Sequence, residues 1–238
     1  FTAGFGETGT ERGKQLEDEM VENAHKGNIR LVGPNCLGIF NPKLNIGYSG
    51  AGYSGESGNF AFISQSGSHA NGVLAESLEH GFKMSKLVSM GNGVVVDSAE
   101  YLEYFAQDED TEVIGMFLEG VRHGERFFNV LREVCRTKPV LIWKVGETED
   151  AARATSAHSA TERIPRNLWD SMLRQCGAVR IDNVQELIDA TKALTPKKVL
   201  EGPRLGLLCQ GGGHATEMAN VFSKAGFRIP ALTERSYE

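Results

Sequence analysis

Cysteine is scarce and scattered in this sequence of 238 residues. Its four cysteines lie far apart and form no C-x-x-C pair: Cys36, Cys135, Cys176 and Cys209. This spacing argues against a zinc site or a disulfide framework and is typical of a reduced, cytosolic setting. Apolar runs long enough to span a membrane are also lacking, and no signal peptide opens the chain. We therefore expect a cytoplasmic protein with no metal site and no membrane partner.

Positive charge is in deficit. The formal net charge is -6 at pH 7, which argues against nucleic acid as the main partner. The net charge does not exclude a phosphorylated ligand, because backbone amides bind anions whatever the net charge. The length suffices for one large α/β domain or two smaller ones. The chain begins at Phe1 without a methionine, and we expect a fragment of a larger polypeptide.

Apolar strands alternate with helices along most of the chain. This alternation predicts an α/β fold with a mostly parallel sheet covered on both faces, whose ligands bind beyond the carboxyl ends of the strands. Asp97, with Glu100 three residues later, predicts a capping box at one helix start. The predicted strands are 59–64, 86–89, 113–118, 140–143, 178–181 and 205–209, and the predicted helices are 67–80, 97 onward, 126–135, 167–176, 184–193 and 215–225, with a linker at 195–198.

The strand 59–64 leads into a helix through small hydroxyl residues. Amide groups, hydroxyls and the helix dipole at such a start favour an anion. Serine is also an ordinary helix N-cap, so these residues alone leave both interpretations open. The residues concerned are Ser66, Gly67 and Ser68.

A second strand, 205–209, is followed by a run of three glycines at a helix start. Such a run costs conformational entropy, which indicates a close approach of the backbone to a ligand. A tight turn is the alternative. The glycines are Gly211, Gly212 and Gly213.

Two more strand ends carry polar residues. Glu119 follows the strand 113–118, where a carboxylate needs either a partner or water, and a solvated loop glutamate is the alternative to a functional role. Lys144 follows the strand 140–143 and opens a stretch to about Pro165 with few large apolar residues, which predicts a long loop. His158 lies near the middle of this stretch. It is one of six histidines, and only its position on a loop from this edge of the sheet distinguishes it.

Read together, the segments resemble the acyl-CoA synthetase (NDP-forming) family, which includes ADP-forming acetyl-CoA synthetases and the α-subunit of succinyl-CoA synthetase. An ordered series of motifs carries the resemblance from one end of the chain to the other. The matching residues are Gly33-Pro34-Asn35-Cys36-Leu37-Gly38, Ile63-Ser64-Gln65-Ser66-Gly67, Ser89-Met90-Gly91-Asn92, Asp97, Tyr101-Leu102, Asp108, Thr111, Phe117-Leu118-Glu119-Gly120, Lys138-Pro139-Val140 and Lys144-x-Gly146.

The resemblance implies a reaction and a role for each candidate residue. Acyl-CoA, NDP and phosphate would be interconverted with acid, CoA and NTP through an acyl phosphate and a phosphohistidine. His158 would be the phosphorylated histidine, and Glu119 would accept a hydrogen bond from its other ring nitrogen. The two helix starts, Ser66-Gly67-Ser68 and Gly211-Gly212-Gly213, would hold the phosphoryl group. Asn35 and Cys36 would line the approach of the CoA thiol arm, or they form only a turn after a strand.

The resemblance also implies an organisation. Residues 1–47 would be the C-terminal part of a CoA-binding Rossmann domain. Residues 48–196 would form a succinyl-CoA synthetase-like, flavodoxin-like domain with the phosphohistidine loop, and residues 201–238 would begin a second flavodoxin-like domain. CoA and phosphate would bind here, whereas ADP or ATP with Mg would bind on an ATP-grasp domain or subunit that this chain lacks. We also expect a homo- or hetero-oligomer. The expected enzyme class is a ligase similar to ADP-forming acetate–CoA ligase, acting on a small carboxylic acid.

One segment departs from the family pattern. Where the family usually reads S-H-T-G-A, this chain has Ala157-His158-Ser159-Ala160-Thr161. This difference motivates a second interpretation, in which the chain is a non-catalytic module that senses CoA or acyl-CoA within a larger regulatory protein such as an acetyltransferase fusion.

Overall fold

The computed structural model describes residues 2–47, 56–159, 165–195 and 200–236, except for the side chains of residue 154 and residues 156–159. The chain divides into two compact units, Phe1–Thr195 and Pro196–Glu238. The predicted division at residues 47 and 48 stays a prediction. Most of the predicted linker at 195–198 lies outside the described residues.

The first unit is built on a sheet of six strands: β1 (Gly38–Phe40), β2 (Phe60–Ser64), β3 (Met84–Ser89), β4 (Val113–Leu118), β5 (Val140–Lys144) and β6 (Val179–Ile181). Their order in the sheet is β1-β3-β2-β4-β5-β6. β2 to β6 pair in parallel with one another, and β1 pairs antiparallel with β3. The predicted α/β, parallel-sheet, flavodoxin-like fold is confirmed.

Helices cover both faces of this sheet. Successive side chains of a strand point to opposite sides, so the sheet contributes to an apolar core on each face. In β2, Phe60 and Phe62 join one apolar core, whereas Ala61 and Ile63 join the other. The described helices are α1 (Glu11–Lys26), α2 (Gly67–His80), α3 (Ser98–Gln107), α4 (Gly124–Val134), α5 (Glu149–Ser159), α6 (Arg166–Cys176), α7 (Val184–Leu194) and α8 (Gly212–Lys224). None of these helices combines the length and the apolar character needed to cross a membrane.

Local signals in the sequence account for several element boundaries. α2 has the predicted bounds and ends at Gly81, whose φ of 75° is the left-handed conformation that glycine adopts without strain. The predicted capping box at α3 is confirmed, since the Asp97 side chain accepts from the backbone of Glu100, and the Glu100 side chain accepts from the backbone of Asp97. β4 also has the predicted bounds.

The prediction of a loop between Lys144 and Pro165 is wrong for most of the segment, because α5 spans Glu149–Ser159. Few large apolar residues do not prevent a helix, since alanine, glutamate and arginine are good helix formers. The Thr148 hydroxyl accepts from Ala151 N at 3.2 Å and so caps the helix. His158 therefore lies on the last turn of a helix by its backbone, and its side chain lies outside the described part of the structure.

The prediction of a strand over 205–209 is also wrong. Within the described residues of the second unit, an isolated bridge joins Arg204 to Arg228 just before this segment, and residues 205–209 pair with no strand. An apolar run becomes a strand only when neighbouring strands pair with it, and here Leu208 is fully exposed. The helix of this unit starts earlier than predicted, at Gly212.

The close packing of β4 on β2 yields a stability prediction. A Cβ on Gly115 would lie 2.6 Å from Phe60 Cζ and 2.9 Å from Phe62 Cδ2, so Gly115→Ala overpacks the core. We expect the free energy of unfolding in urea to fall by about 1–3 kcal/mol. Gly72→Ala on α2 is the matched control, because its Cβ meets no described atom within 4 Å. It should raise the free energy by about 0.5–1 kcal/mol. Equal effects of the two substitutions would contradict this packing.

Candidate functional site

The carboxyl end of β2 leads into the first turn of α2, and Ser66 is the N-cap residue. Its hydroxyl accepts from His69 N at 3.4 Å and lies 3.0 Å from Ser68 Oγ. Ser66 is buried, Gly67 is half-buried and Ser68 is exposed. Amide groups in the first turn of any helix have no helical acceptor, so this end presents donors and a positive dipole. Capping by Ser66 is confirmed, and an anion role is compatible with it.

His69 is a residue that the sequence reasoning missed. Its ring stacks on Phe117 with centroids 4.0 Å apart and meets Trp143 edge-on at 5.2 Å. Its Nδ1 lies 3.1 Å from Ser66 Oγ. The ring thus joins the start of α2 to β4 and β5 and helps to orient the Ser66 hydroxyl. Its only signal in the sequence was its position in the first turn of the helix.

Glu119 lies at the carboxyl end of β4, next to the end of β2. The residue is buried, so the alternative of a solvated loop glutamate is wrong. Its backbone N donates to Gln65 Oε1, which also accepts from Gly120 N at 3.0 Å. Since Gln65 directly precedes Ser66, one side chain connects the helix start at Ser66 to the carboxylate-bearing residue.

Lys144 is the last residue of β5 and lies beside Glu119 at the carboxyl edge of the sheet. Its Nζ donates to Glu119 O at 2.9 Å and to Val145 O, and it lies 5.4 Å from the centre of the Trp169 ring. Burial lowers the pKa of this amine to about 8, because removal from water disfavours the charged form. The carboxylates of Glu147 and Glu119 oppose the shift only in part.

The structure explains why the Lys144-x-Gly146 motif ends in a glycine. Its φ is 80°, and a Cβ there would lie 2.6 Å from Thr155 Oγ1 on α5. The glycine therefore permits both the left-handed turn and the close return of α5 onto the end of β5. This turn sets the backbone path that leads to His158.

Asn35 and Cys36 belong to a buried turn that packs on the loop after β3. Asn35 Nδ2 donates to Asn92 Oδ1 at 3.4 Å, and Cys36 Sγ lies 3.6 Å from Val32 O. Asn35 has a φ of 55°. Gly91 is needed here, because a Cβ on it would lie 2.1 Å from Pro34 O. The structural turn is thus confirmed, and contact with CoA stays a prediction.

The turn also reaches the start of α2. A Cβ on Gly67 would lie 3.0 Å from Leu37 Cγ. The structure therefore brings Asn35, Cys36, Ser66, Gly67, Ser68 and Glu119 to one edge of the sheet in the first unit.

The three glycines lie at the start of α8 in the second unit. Gly211 is the N-cap residue and offers no side chain to the amides of the first turn. A Cβ on Gly211, Gly212 or Gly213 would meet no described atom within 4 Å. Contacts between the described residues therefore do not explain this run, whereas a ligand-binding role remains compatible with it.

Comparison with known families decides the assignment of the fold. The family model of the succinyl-CoA ligase like flavodoxin domain matches residues 57–194. The chain belongs to this family.

Relatives of this succinyl-CoA ligase like domain are named as ligases. The chain is 33% identical over 238 residues to the α-subunit of ADP-forming acetate–CoA ligase II from Pyrococcus furiosus, covering 100% of this chain and 51% of that protein. It is 36% identical over 226 residues to ADP-forming acetate–CoA ligase I from Archaeoglobus fulgidus, covering 95% of this chain and 33% of that protein. The chain thus spans about half or less of the length of these curated relatives. Their names give no support to the CoA-sensing interpretation.

A solved structure agrees with this assignment. Acetyl-coenzyme A synthetase 1 of Ca. Korarchaeum cryptofilum, described as dinucleotide forming and in complex with phosphate and ADP, matches with a TM-score of 0.85 and 32% identity. The match covers 98% of this chain and 50% of that one.

The depressed pKa of Lys144 predicts a pH effect on stability. The unfolded chain holds this proton up to its ordinary pKa of 10.5, whereas the folded chain releases it at about 8. Protonated Lys144 therefore costs stability at neutral pH, and the cost falls as the pH rises from about 8 to 10.5. We expect the free energy of unfolding of the wild type, minus that of Lys144→Met, to rise across this window. A difference that stays constant from pH 7 to 10.5 would contradict the shift.

Proposed function

We propose that this chain is the phosphohistidine-carrying component of an acid–thiol ligase similar to ADP-forming acetate–CoA ligase. The observation that carries the proposal is the shared edge of the sheet. There the helix start at Ser66, the buried carboxylate-bearing Glu119 and the strand that leads to His158 meet at the ends of adjacent parallel strands. Family membership and the names of the relatives support the same chemistry.

The proposed reaction has one acyl transfer to phosphate and two successive phosphoryl transfers, first to His158 and then to NDP. Phosphate attacks the thioester carbonyl of acyl-CoA, CoA leaves as the thiol and an acyl phosphate forms. A ring nitrogen of His158 then attacks phosphorus, the bond between phosphorus and the acyl oxygen breaks, and the carboxylate leaves. Finally the phosphoryl group passes to the terminal oxygen of NDP, which yields NTP and restores the imidazole. Neutral imidazole suits the first transfer because it is a nucleophile near pH 7, and the phosphoramidate that it forms suits the second because it is a good phosphoryl donor.

Each residue at the edge has a role in this scheme. Glu119 accepts a hydrogen bond from the second ring nitrogen of His158 and so stabilises the ring that carries positive charge after attack. The amides and hydroxyls of Ser66, Gly67 and Ser68 bind the phosphoryl oxygens. In the second unit, the amides at the start of α8, at Gly211, Gly212 and Gly213, are a further candidate phosphate-binding element. Asn35 and Cys36 line the approach of CoA. In a buried setting these fixed donors act more strongly than they would in water.

The nucleotide and the acid are finer proposals. A related structure is described as a complex with phosphate and ADP, which favours ADP over GDP. We propose that ADP or ATP binds with Mg on an ATP-grasp domain or subunit outside this chain. Three relatives are named as α-subunits, which supports an assembly of more than one subunit. Acetate is the proposed acid.

Phosphoryl labelling of the full-length protein tests this function. Incubation with γ-labelled ATP, magnesium and the nucleotide-binding partner should place an acid-labile label on the wild type, and His158→Ala should abolish it. Glu119→Gln, which removes the charge and keeps the shape, should slow labelling on the order of 10²-fold.

His80→Ala is the matched control for the labelling. His80 lies in the last turn of α2, where its Nε2 is 3.2 Å from Glu76. This variant should be labelled like the wild type. A label that survives His158→Ala would contradict the role of that residue, and a wild type that takes up no label would contradict the function.

A further inference from the structure

The main chain of Glu119 is held by side chains from both neighbouring strands. On the β2 side, Gln65 Oε1 accepts from the backbone N of Glu119 and, at 3.0 Å, from that of Gly120. On the β5 side, Lys144 Nζ donates to Glu119 O at 2.9 Å. Both side chains are buried. The amide and the carbonyl of one residue are thus bound from opposite directions.

This arrangement begins where the sheet ladder ends. Phe117 O still accepts from Gln65 N at 3.2 Å, and Leu118 O accepts from Val145 N at 3.1 Å. Beyond Leu118 the main chain leaves the ladder, and side chains take over its hydrogen bonds. The side chains of Gln65 and Lys144, and not the sheet ladder alone, therefore set the position of the Glu119 main chain.

The chemistry of the two side chains fits a positioning role. An amide oxygen accepts two hydrogen bonds and so binds two consecutive N–H groups. An ammonium group has three donor hydrogens, and here it serves Glu119 O and Val145 O and faces the Trp169 ring. Removing either partner leaves buried backbone groups unsatisfied, which favours a shift of the chain.

We propose that Gln65 and Lys144 are positioning residues that hold the main chain of Glu119 so that its carboxylate meets the histidine ring. This inference rests on the proposed function, because it assigns the purpose of the arrangement to the contact between Glu119 and His158. It names two residues that act on phosphoryl transfer through Glu119 rather than by touching the phosphoryl group.

A double-mutant cycle in the full-length protein tests the inference. Gln65→Met and Lys144→Met should each slow phosphoryl transfer to His158 by about 10- to 100-fold in single-turnover labelling, with the KM for acyl-CoA nearly unchanged. In a Glu119→Gln background the same substitutions should slow labelling by less than about threefold, because residues that act through one group are not additive. Equal factors in both backgrounds would overturn the proposal.

Two further variants separate positioning from folding. Lys138→Met is matched to Lys144→Met, because Lys138 Nζ also donates to two backbone carbonyls, Phe105 O at 2.7 Å and Asp108 O at 2.6 Å, but before β5 begins. It should lower stability and leave the labelling rate unchanged. Gln65→Glu keeps an oxygen acceptor for both N–H groups and should be labelled faster than Gln65→Met. A Glu variant as slow as the Met variant would count against the positioning role.

Crystal structures of Gln65→Met and Lys144→Met distinguish failure of this inference from failure of the proposed function. A Glu119 main chain displaced from its wild-type position supports the arrangement even if labelling is never detected. An unmoved Glu119 overturns the positioning role even if the wild type is labelled at His158.

Discussion

Parallel pairing of β2, β4 and β5 is the constraint on which the candidate site depends. Parallel strands end at the same edge, so residues far apart in sequence become neighbours there. Ser66, Glu119 and Lys144 follow or end three adjacent strands and meet for that reason. A slip of one residue between β2 and β4 would turn the buried residues of a strand to the opposite face and separate these groups. The sheet register is therefore a functional property as well as a source of stability.

Buried polar residues at this edge join packing to chemistry. Gln65, Glu119 and Lys144 are each removed from water, which costs free energy unless hydrogen bonds replace those to solvent. The side chains of Gln65 and Lys144 bond to backbone groups that have left the ladder, so they also fix the path of the chain. Glycines complete the arrangement, since Gly91 and Gly146 allow approaches that no side chain would permit. The motifs of the family thus describe how loops are held as well as which groups react.

Strongly patterned elements could be predicted from the sequence, and context-dependent ones could not. β4 and α2 were predictable because each is apolar or capped by its own residues. α5 was not, because its small residues lack an apolar stripe although they favour helix, and the predicted strand 205–209 depended on partners that local sequence does not reveal.

For the site, chain order indicated that strand ends would meet. The bonds of Gln65 and Lys144 to the main chain of Glu119 could not be predicted, since backbone groups carry no sequence signal.

A structure of the full-length protein with bound phosphate would show whether these residues form one phosphoryl site. The account predicts phosphate oxygens about 2.7–3.2 Å from the amides or hydroxyls of Ser66, Gly67 and Ser68. It also predicts the His158 ring beside the phosphate, with its other nitrogen hydrogen-bonded to the Glu119 carboxylate. Phosphate bound elsewhere while the start of α2 stays empty, or a Glu119 carboxylate turned away from the ring, would contradict it.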